Sequence, residues 1–360
     1  MLTFQGHEYL RQRMVLATLL GKPLKVEKIR SDLLEPGLKD YEISFIRLLD
    51  RITNGSVMDI SYTGTTVIYR PGMLVGGTHN HTCPTSRGIG YFLEPMLYLA
   101  PFCKTAMKIT FAGVTSNETD NSVDMIRTSL FPVMQKFGID RMELRIVRRG
   151  SPPLGGGEVV FSAPHLVLQP KTLHATTTPK ILKIRGIAYS TRVSPTIVNR
   201  MINAAREVLK VTECETFIYS DVARGQDAGK SPGYGILLVA ETKSGWCYST
   251  EDVGAAGAVP EDLGEKVAKQ LLYDISLGGV VGRNQIALAL TFMILGKEDV
   301  GRIRVGRDVI DDKTVQLLRD IYAFTGQQII IKDGDEDTDS NDLMISVKGI
   351  GFTSASKKIA

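Results

Sequence analysis

Two adjacent guanidinium groups, Arg148 and Arg149, close an apolar-alternating run. Gly150 follows, then a rigid Ser151-Pro152-Pro153 elbow, Leu154, and three successive glycines, Gly155, Gly156 and Gly157. The planar fork of arginine suits phosphate oxygens. Glycine tolerates φ > 0 and lets an anion come close to bare main-chain N–H groups. The chemistry this stretch offers is therefore anion binding. The Walker loop and the dinucleotide fingerprint both require a helix directly after their glycines. Here Glu158-Val159-Val160-Phe161-Ser162 reads as a strand, so neither motif is supported. The competing reading is a long hairpin whose glycines relieve a steric conflict. Other arginines stand at the ends of predicted elements, where sites tend to gather. Arg30 precedes Pro36-Gly37, Arg70 precedes Pro71-Gly72 and Gly76-Gly77, and Arg283 follows Gly282.

Other combinations carry less. His79, His81 and Cys83 alternate, so a strand would put them on one face, but no further ligand pair stands at zinc-like spacing and no metal site is expected. Cys83 has no identifiable partner for nucleophilic work. His7 beside Glu8 reads as an exposed residue near the N-terminus, and His165 and His174 lie in a proline- and threonine-rich loop without pattern. No histidine follows His174, which excludes a histidine nucleophile from there on. The acidic run from Asp333 to Asp342 misses the EF-hand spacing and reads as a solvated loop. Asp311-Asp312-Lys313 and Arg319-Asp320 could do general acid–base work. Their alternative is a charged helix N-terminus that suits the helix dipole, with a solvated face able to dock a partner.

The elements that would hold these residues repeat. A helix over 9–20, a strand over 24–29, a helix over 38–52 and strands over 56–61 and 65–70 form a first unit. Helix 89–99, strand 107–112, helix 122–137 and strands 142–147 and 158–162 repeat that order. Helix 284–295, strand 301–305, helix 311–324 and strands 328–332 and 343–348 repeat it again. Between the second and third copies lies an α/β insert with strands at 182–189, 215–221 and 235–242. Ser194-Pro195 opens its long helix and Pro260 precedes its last. The expected organisation is residues 1–180 for units one and two, 181–277 for the inserted domain, and 278–360 for unit three. At 360 residues, 43% hydrophobic and 23% charged, the chain can bury a full core. No apolar run is long enough to span a membrane, and no signal-peptide pattern opens the chain. Four scattered cysteines without a CxxC pair suggest reduced thiols in a cytosolic or nuclear setting. A formal net charge of +4 fits an acidic partner such as RNA without demanding one.

In these combinations the chain resembles the RNA 3′-terminal phosphate cyclases along essentially its whole length. The pieces that carry the resemblance are Ile29-Arg30 with Pro36-Gly37-Leu38, Tyr69-Arg70-Pro71-Gly72 with Gly76-Gly77, Arg149 through Val159, and Arg224 through Gly233. The resemblance implies an α/β fold of three repeated modules, each with two helices on a four-stranded sheet, plus a small inserted α/β domain. It also implies one wall of an anion pocket at Arg30, Arg70, Arg148, Arg149, Gly155, Gly156, Gly157 and Arg283. Two departures matter. Cyclases carry a Gly-Glu-Gly-Gly-Gly-Gln type motif where this chain has Phe4-Gln5-Gly6-His7-Glu8-Tyr9, and they adenylylate a histidine in the third module, where none stands here. Loss of a nucleophile removes the covalent step, so no ATP-dependent cyclisation and no cofactor are expected.

The residues 4–6, 60–72, 149–159 and 348–353 are similar to the cyclase-like branch of that family. This implies a nucleolar factor for early pre-rRNA processing of the small ribosomal subunit, working with a Bms-type ribosome-assembly GTPase and the nucleolar particle that handles the pre-rRNA. A monomer without membrane association is expected, with Arg319 and Asp320 as partner contacts. The alternative is a metal-independent endoribonuclease that cleaves pre-rRNA through Asp312, Lys313, Arg319 and Asp320.

Overall fold

Short apolar-alternating runs build three four-stranded sheets of one pattern. The computed structural model describes residues 1–164, 166–255, 257–334 and 341–354; His165 and the centre of the acidic run lie outside them. The first sheet runs Leu2–Gln5, Leu24–Glu27, Val67–Arg70, Val57–Ile60 in spatial order. The second runs Gly77–Thr82, Met107–Gly113, Gly157–Ala163, Glu143–Arg148. The third runs His174–Ala175, Val300–Gly306, Asp342–Lys348, Ile330–Asp333. In each, the first strand pairs in parallel with the second and the remaining pairs are antiparallel. The fold is mixed α/β.

The repeating order is thus strand, helix, strand, helix, strand, strand, and the opening strand is an addition to the sequence reading. His174 pairs with Arg302 in the third sheet, so the third unit is not wholly without histidine. Its ring is exposed and shares the outer face with Arg302. The stretch from 175 to 360 has none.

The helices differ in how far the protein encloses them, according to how many of their sides are apolar. Ile286–Ile294 is Ile-Ala-Leu-Ala-Leu-Thr-Phe-Met-Ile, buried at eight positions, as a helix enclosed by protein must be. Its Phe292 ring lies 5.5 Å from Phe137 and 5.9 Å from Tyr98, which ties the third unit to the second. By contrast Asp40–Ile52 is amphipathic, with Phe45, Ile46, Leu48, Leu49 and Ile52 turned inward. One continuous apolar cluster joins all three units. The helix expected over 122–137 is present as Val123–Met125, a π-turn at Ile126–Leu130 and Phe131–Lys136.

The fourth sheet belongs to the insert and runs Glu215–Ala223, Ile181–Thr191, Gly233–Thr242, Cys247–Val253, the last a strand the sequence reading missed. Pro195–Leu209 and Pro260–Ser276 cover one face around a separate cluster that includes Ile184, Val198, Met201 and Leu271. On the opposite face Leu237, Val239 and Cys247 meet Met125 of the second unit.

Candidate functional site

The Arg148–Gly157 stretch is where the second unit meets the insert. After Arg148 the chain leaves its sheet and runs beside residues 227–231. Arg149 N–H donates to the Asp227 carbonyl at 3.3 Å, Gly229 N–H to the Arg149 carbonyl at 2.6 Å and Lys230 N–H to the Gly155 carbonyl at 2.9 Å. Leu154 N–H reaches Ser231 Oγ at 3.1 Å. The glycines are needed for this closeness. A Cβ at Gly229 would stand 2.3 Å from the Gly155 carbonyl oxygen, and one at Gly150 2.2 Å from the Gly157 nitrogen. Gly155 and Gly156 also hold φ of +60° and +81°. In this structure the glycines serve the steric role, a seam of backbone against backbone.

Arg149 lies under that seam, 3% exposed. Nη1 donates to Asp124 Oδ2 at 2.6 Å and Nε to Asp221 Oδ2 at 2.8 Å, and the guanidinium lies 4.7 Å from the Tyr189 ring. Burial alone would lower its pKa, but Asp124 and Asp221 outweigh that and hold it charged. Beside it, Ser122 caps the helix that carries Asp124 and donates its N–H to Glu251 Oε1 at 2.7 Å; its hydroxyl meets Oε2. Desolvation pushes Glu251 up to about 7, against the opposing pull of the Ser122 bonds. The arrangement is a set of carboxylates with their own cation, closed on itself.

The other arginines expected in an anion pocket are held apart by partners of their own. Arg30, 8% exposed, forks onto Glu42 at 2.7 and 2.9 Å and also donates to the Gly37 carbonyl at 3.1 Å. That closes the turn before the second helix and leaves the guanidinium no open side. Arg70 is exposed and pairs with Asp59 at 3.2 Å. Arg148 is partly exposed, 3.8 Å from Glu158. Arg283 is exposed, donates to the Asp308 carbonyl at 3.2 Å and lies 5.5 Å from the Tyr273 ring. No carboxylate or carbonyl is shared between any two of Arg30, Arg70, Arg149 and Arg283 among the described residues.

Asp311 is the N-cap of helix Asp312–Thr325, accepting from Thr314 N–H at 2.8 Å, which leaves Asp312 and Lys313 exposed in the first turn. Arg319 is exposed, whereas Asp320 is 1% exposed. One Asp320 oxygen accepts from Arg13 Nε at 3.1 Å and Gln12 Nε2 at 2.9 Å, and the other from Gln316 Nε2 at 2.8 Å. The pair expected to act together is therefore divided. Asp320 ties the third unit to the first and is no free acid or base, and only Arg319 can meet a partner.

His81 and Cys83 are buried; His81 Nε2 is 3.1 Å from Ser44 Oγ, and burial next to Arg51 lowers its pKa to about 4. Burial raises the Cys83 thiol. Among the described residues no cluster of three or more His, Cys, Asp or Glu is placed to hold a metal ion. Gln285 was overlooked by sequence reasoning. Fully buried, its Nε2 donates to Ser129 Oγ at 2.5 Å, Ser249 Oγ at 3.0 Å and the Cys247 carbonyl at 3.2 Å. Its Oε1 accepts from Gly282 N–H at 2.9 Å. One amide thus joins the second unit, the insert and the third unit. Its partners Ser129, Cys247 and Ser249 lie 156, 38 and 36 residues away, so no local pattern could have flagged it.

Residues 2–331 match the model of the RNA 3'-terminal phosphate cyclase family, and the chain belongs to that family. Among its relatives, it is 55% identical over 359 residues to the rRNA processing protein RCL1 of Saccharomyces cerevisiae, covering 99% of this chain and 98% of the relative. The rRNA processing protein rcl1 of Schizosaccharomyces pombe is 47% identical with the same coverage. The RNA 3'-terminal phosphate cyclase-like protein of Homo sapiens is 45% identical over 371 residues, covering 99% of this chain and 98% of the relative.

Proposed function

We propose that this protein acts in rRNA processing as a binding factor, without RNA cyclase activity. The observation that carries the reading is the full-length similarity to relatives named for rRNA processing, in a chain whose last 186 residues contain no histidine. A covalent nucleotidyl step of the kind this family uses lacks its nucleophile there. The buried Arg149, already neutralised by Asp124 and Asp221, supports a structural core at the old pocket. Of the arginines expected to hold an anion, Arg70 and Arg283 are exposed and Arg148 is partly exposed.

The finer reading is small-subunit pre-rRNA processing in the nucleolus with a Bms-type ribosome-assembly GTPase. The exposed side of helix Asp312–Thr325 is the proposed contact. Asp312, Arg319 and Tyr322, the last 53% exposed, recur at helical spacing there. Residues 181–277, with an apolar cluster of their own, are proposed as a separate domain. The test replaces the cellular protein by Arg319→Ala and follows pre-rRNA intermediates and co-purification of the GTPase. The expected result is loss of both with the protein present at normal level. Purified protein that cleaves a pre-rRNA fragment site-specifically, with cleavage abolished by Asp312→Ala or Arg319→Ala, overturns the binding-factor reading in favour of the endoribonuclease.

A further inference from the structure

The three unit sheets turn their inner faces to the helices and leave their outer faces open, and those outer faces differ in charge. On the first, Lys25 meets Glu27 and Arg70 meets Asp59 in ion pairs, so the face is balanced. On the second, Lys108, Arg145 and Arg148 share the face with Glu143 and Glu158. The third breaks the pattern. Strand alternation and register put Lys348 opposite Val300 in one row. His174, Arg302, Ser346 and Ile330 form the next, then Arg304, Met344 and Lys332, and last Gly306 with Asp342. Asp342 is buried, 3.7 Å from Arg304, and is the one carboxylate on the face among the described residues.

Arg302, Lys332 and Lys348 are exposed and have no carboxylate within ion-pair distance among the described residues. Among the described residues the neighbouring acids stand at strand ends rather than on the face: Asp299 receives the Val300 N–H, and Asp333 holds Arg307; the acidic residues from 335 to 339 lie outside the described residues. The surface is therefore a patch of three cations, one on each of three adjacent strands and each in a different row, with Ser346 and His174 as added hydrogen-bonding groups. A flat basic sheet face complements an extended polyanion better than it does a compact ligand, which would need a pocket.

We infer that the outer face of the third sheet is a docking surface for single-stranded RNA, held through its phosphates by Arg302, Lys332 and Lys348. This rests on the rRNA-processing reading only for the choice of RNA as the polyanion. The contact is to backbone and carries no base preference.

The experiment measures binding of a labelled single-stranded polyuridylate to the full chain across a salt series. The Arg302→Gln/Lys332→Gln/Lys348→Gln variant is compared with the native protein and with a Lys108→Gln/Arg145→Gln control on the second sheet. Each phosphate contact contributes about 0.7 to the slope of log affinity against log salt for single strands. Removing three lowers the slope by about 2 and weakens binding about 100-fold near 0.1 M salt, while the control keeps the native slope. All substituted side chains are exposed, so thermal midpoints should agree; single variants replace the triple if they do not. Unchanged affinity and slope in the triple variant, an equal loss in the control, or no RNA binding by the native protein overturns the inference. So does a triple variant that keeps RNA but loses an acidic polypeptide such as polyglutamate. Pre-rRNA processing in cells, followed in parallel, separates the two claims. A triple variant with native RNA affinity and normal processing sinks this surface and leaves the rRNA-processing reading standing.

Discussion

Glu251 gives the sharpest test of how the insert is held against the second unit. Its carboxylate receives the Ser122 N–H and hydroxyl, and desolvation raises it from 4.5 to about 7. The native state therefore binds a proton at pH values where the unfolded chain has already released it, so stability falls as pH rises from about 4.5 towards about 7. At ~1.4 kcal/mol per tenfold, that span sets an upper bound near 3 kcal/mol on the cost of ionising Glu251 in place. The side chain keeps some solvent access, so about half is the working expectation. Glu251→Gln keeps a carbonyl for the Ser122 N–H and cannot ionise. Urea unfolding of native and variant, in steps from about pH 5 to about pH 8, should show the variant gaining on the native by ~1–2 kcal/mol towards the alkaline end. The gap should close near pH 5. His81, lowered to about 4, works the other way, contributing stability above its ordinary 6.5 that is lost as pH falls towards about 4. Its contribution is common to both proteins and cancels in the difference. A gap that stays constant across the series refutes the assignment.

Asp320→Ala strips a buried arginine of its partner and should cost ~3–5 kcal/mol, whereas Arg319→Ala should stay within ~0.5 kcal/mol; chemical denaturation of the two side by side checks both. Gly229→Ala pushes a Cβ to 2.3 Å from the Gly155 carbonyl oxygen and should destabilise by at least ~1–3 kcal/mol, read as a lower urea midpoint. Gln285→Leu leaves the Ser129 and Ser249 hydroxyls and the Gly282 N–H with fewer partners. It should cost ~2–4 kcal/mol at ~1–3 per buried group, with loss of hydrogen-exchange protection in the 247–253 strand as the accompanying sign.

What could be read in advance followed the strength of local periodicity. Helices with one apolar stripe, such as Asp40–Ile52 and Pro195–Leu209, and seven-residue strands such as Met107–Gly113 fall within a few residues of their expected bounds. The opening strand of each unit escaped because it says so little locally. Leu2–Gln5 has four residues, His174–Ala175 two, and Gly77–Thr82 is Gly-Thr-His-Asn-His-Thr. Their pairing is set by the neighbour strand, a tertiary effect that overrides propensity. The same limit governs the site. The glycines and Arg149 were visible as a cluster, but Asp124 lies 25 residues away and Asp221 72. Only the fold reveals that the guanidinium is already neutralised. Arg319-Asp320 was misread as one unit for a plainer reason: neighbours in a helix point about 100° apart, so one can face water while the other faces the core.

The insert interrupts the third unit after its first strand, and this fixes an order of events during synthesis. His174 pairs with Arg302, 128 positions later, while the first two sheets need nothing beyond Arg70 and Ala163. A chain emerging from its N-terminus can complete those two sheets, and then the insert, while the short strand at His174–Ala175 waits. The third sheet closes only when Asp342–Lys348, its central partner, has left the ribosome. A chain cut short by even the last twenty residues would carry two finished sheets and an exposed, unclosed seam, a ready mark for quality control.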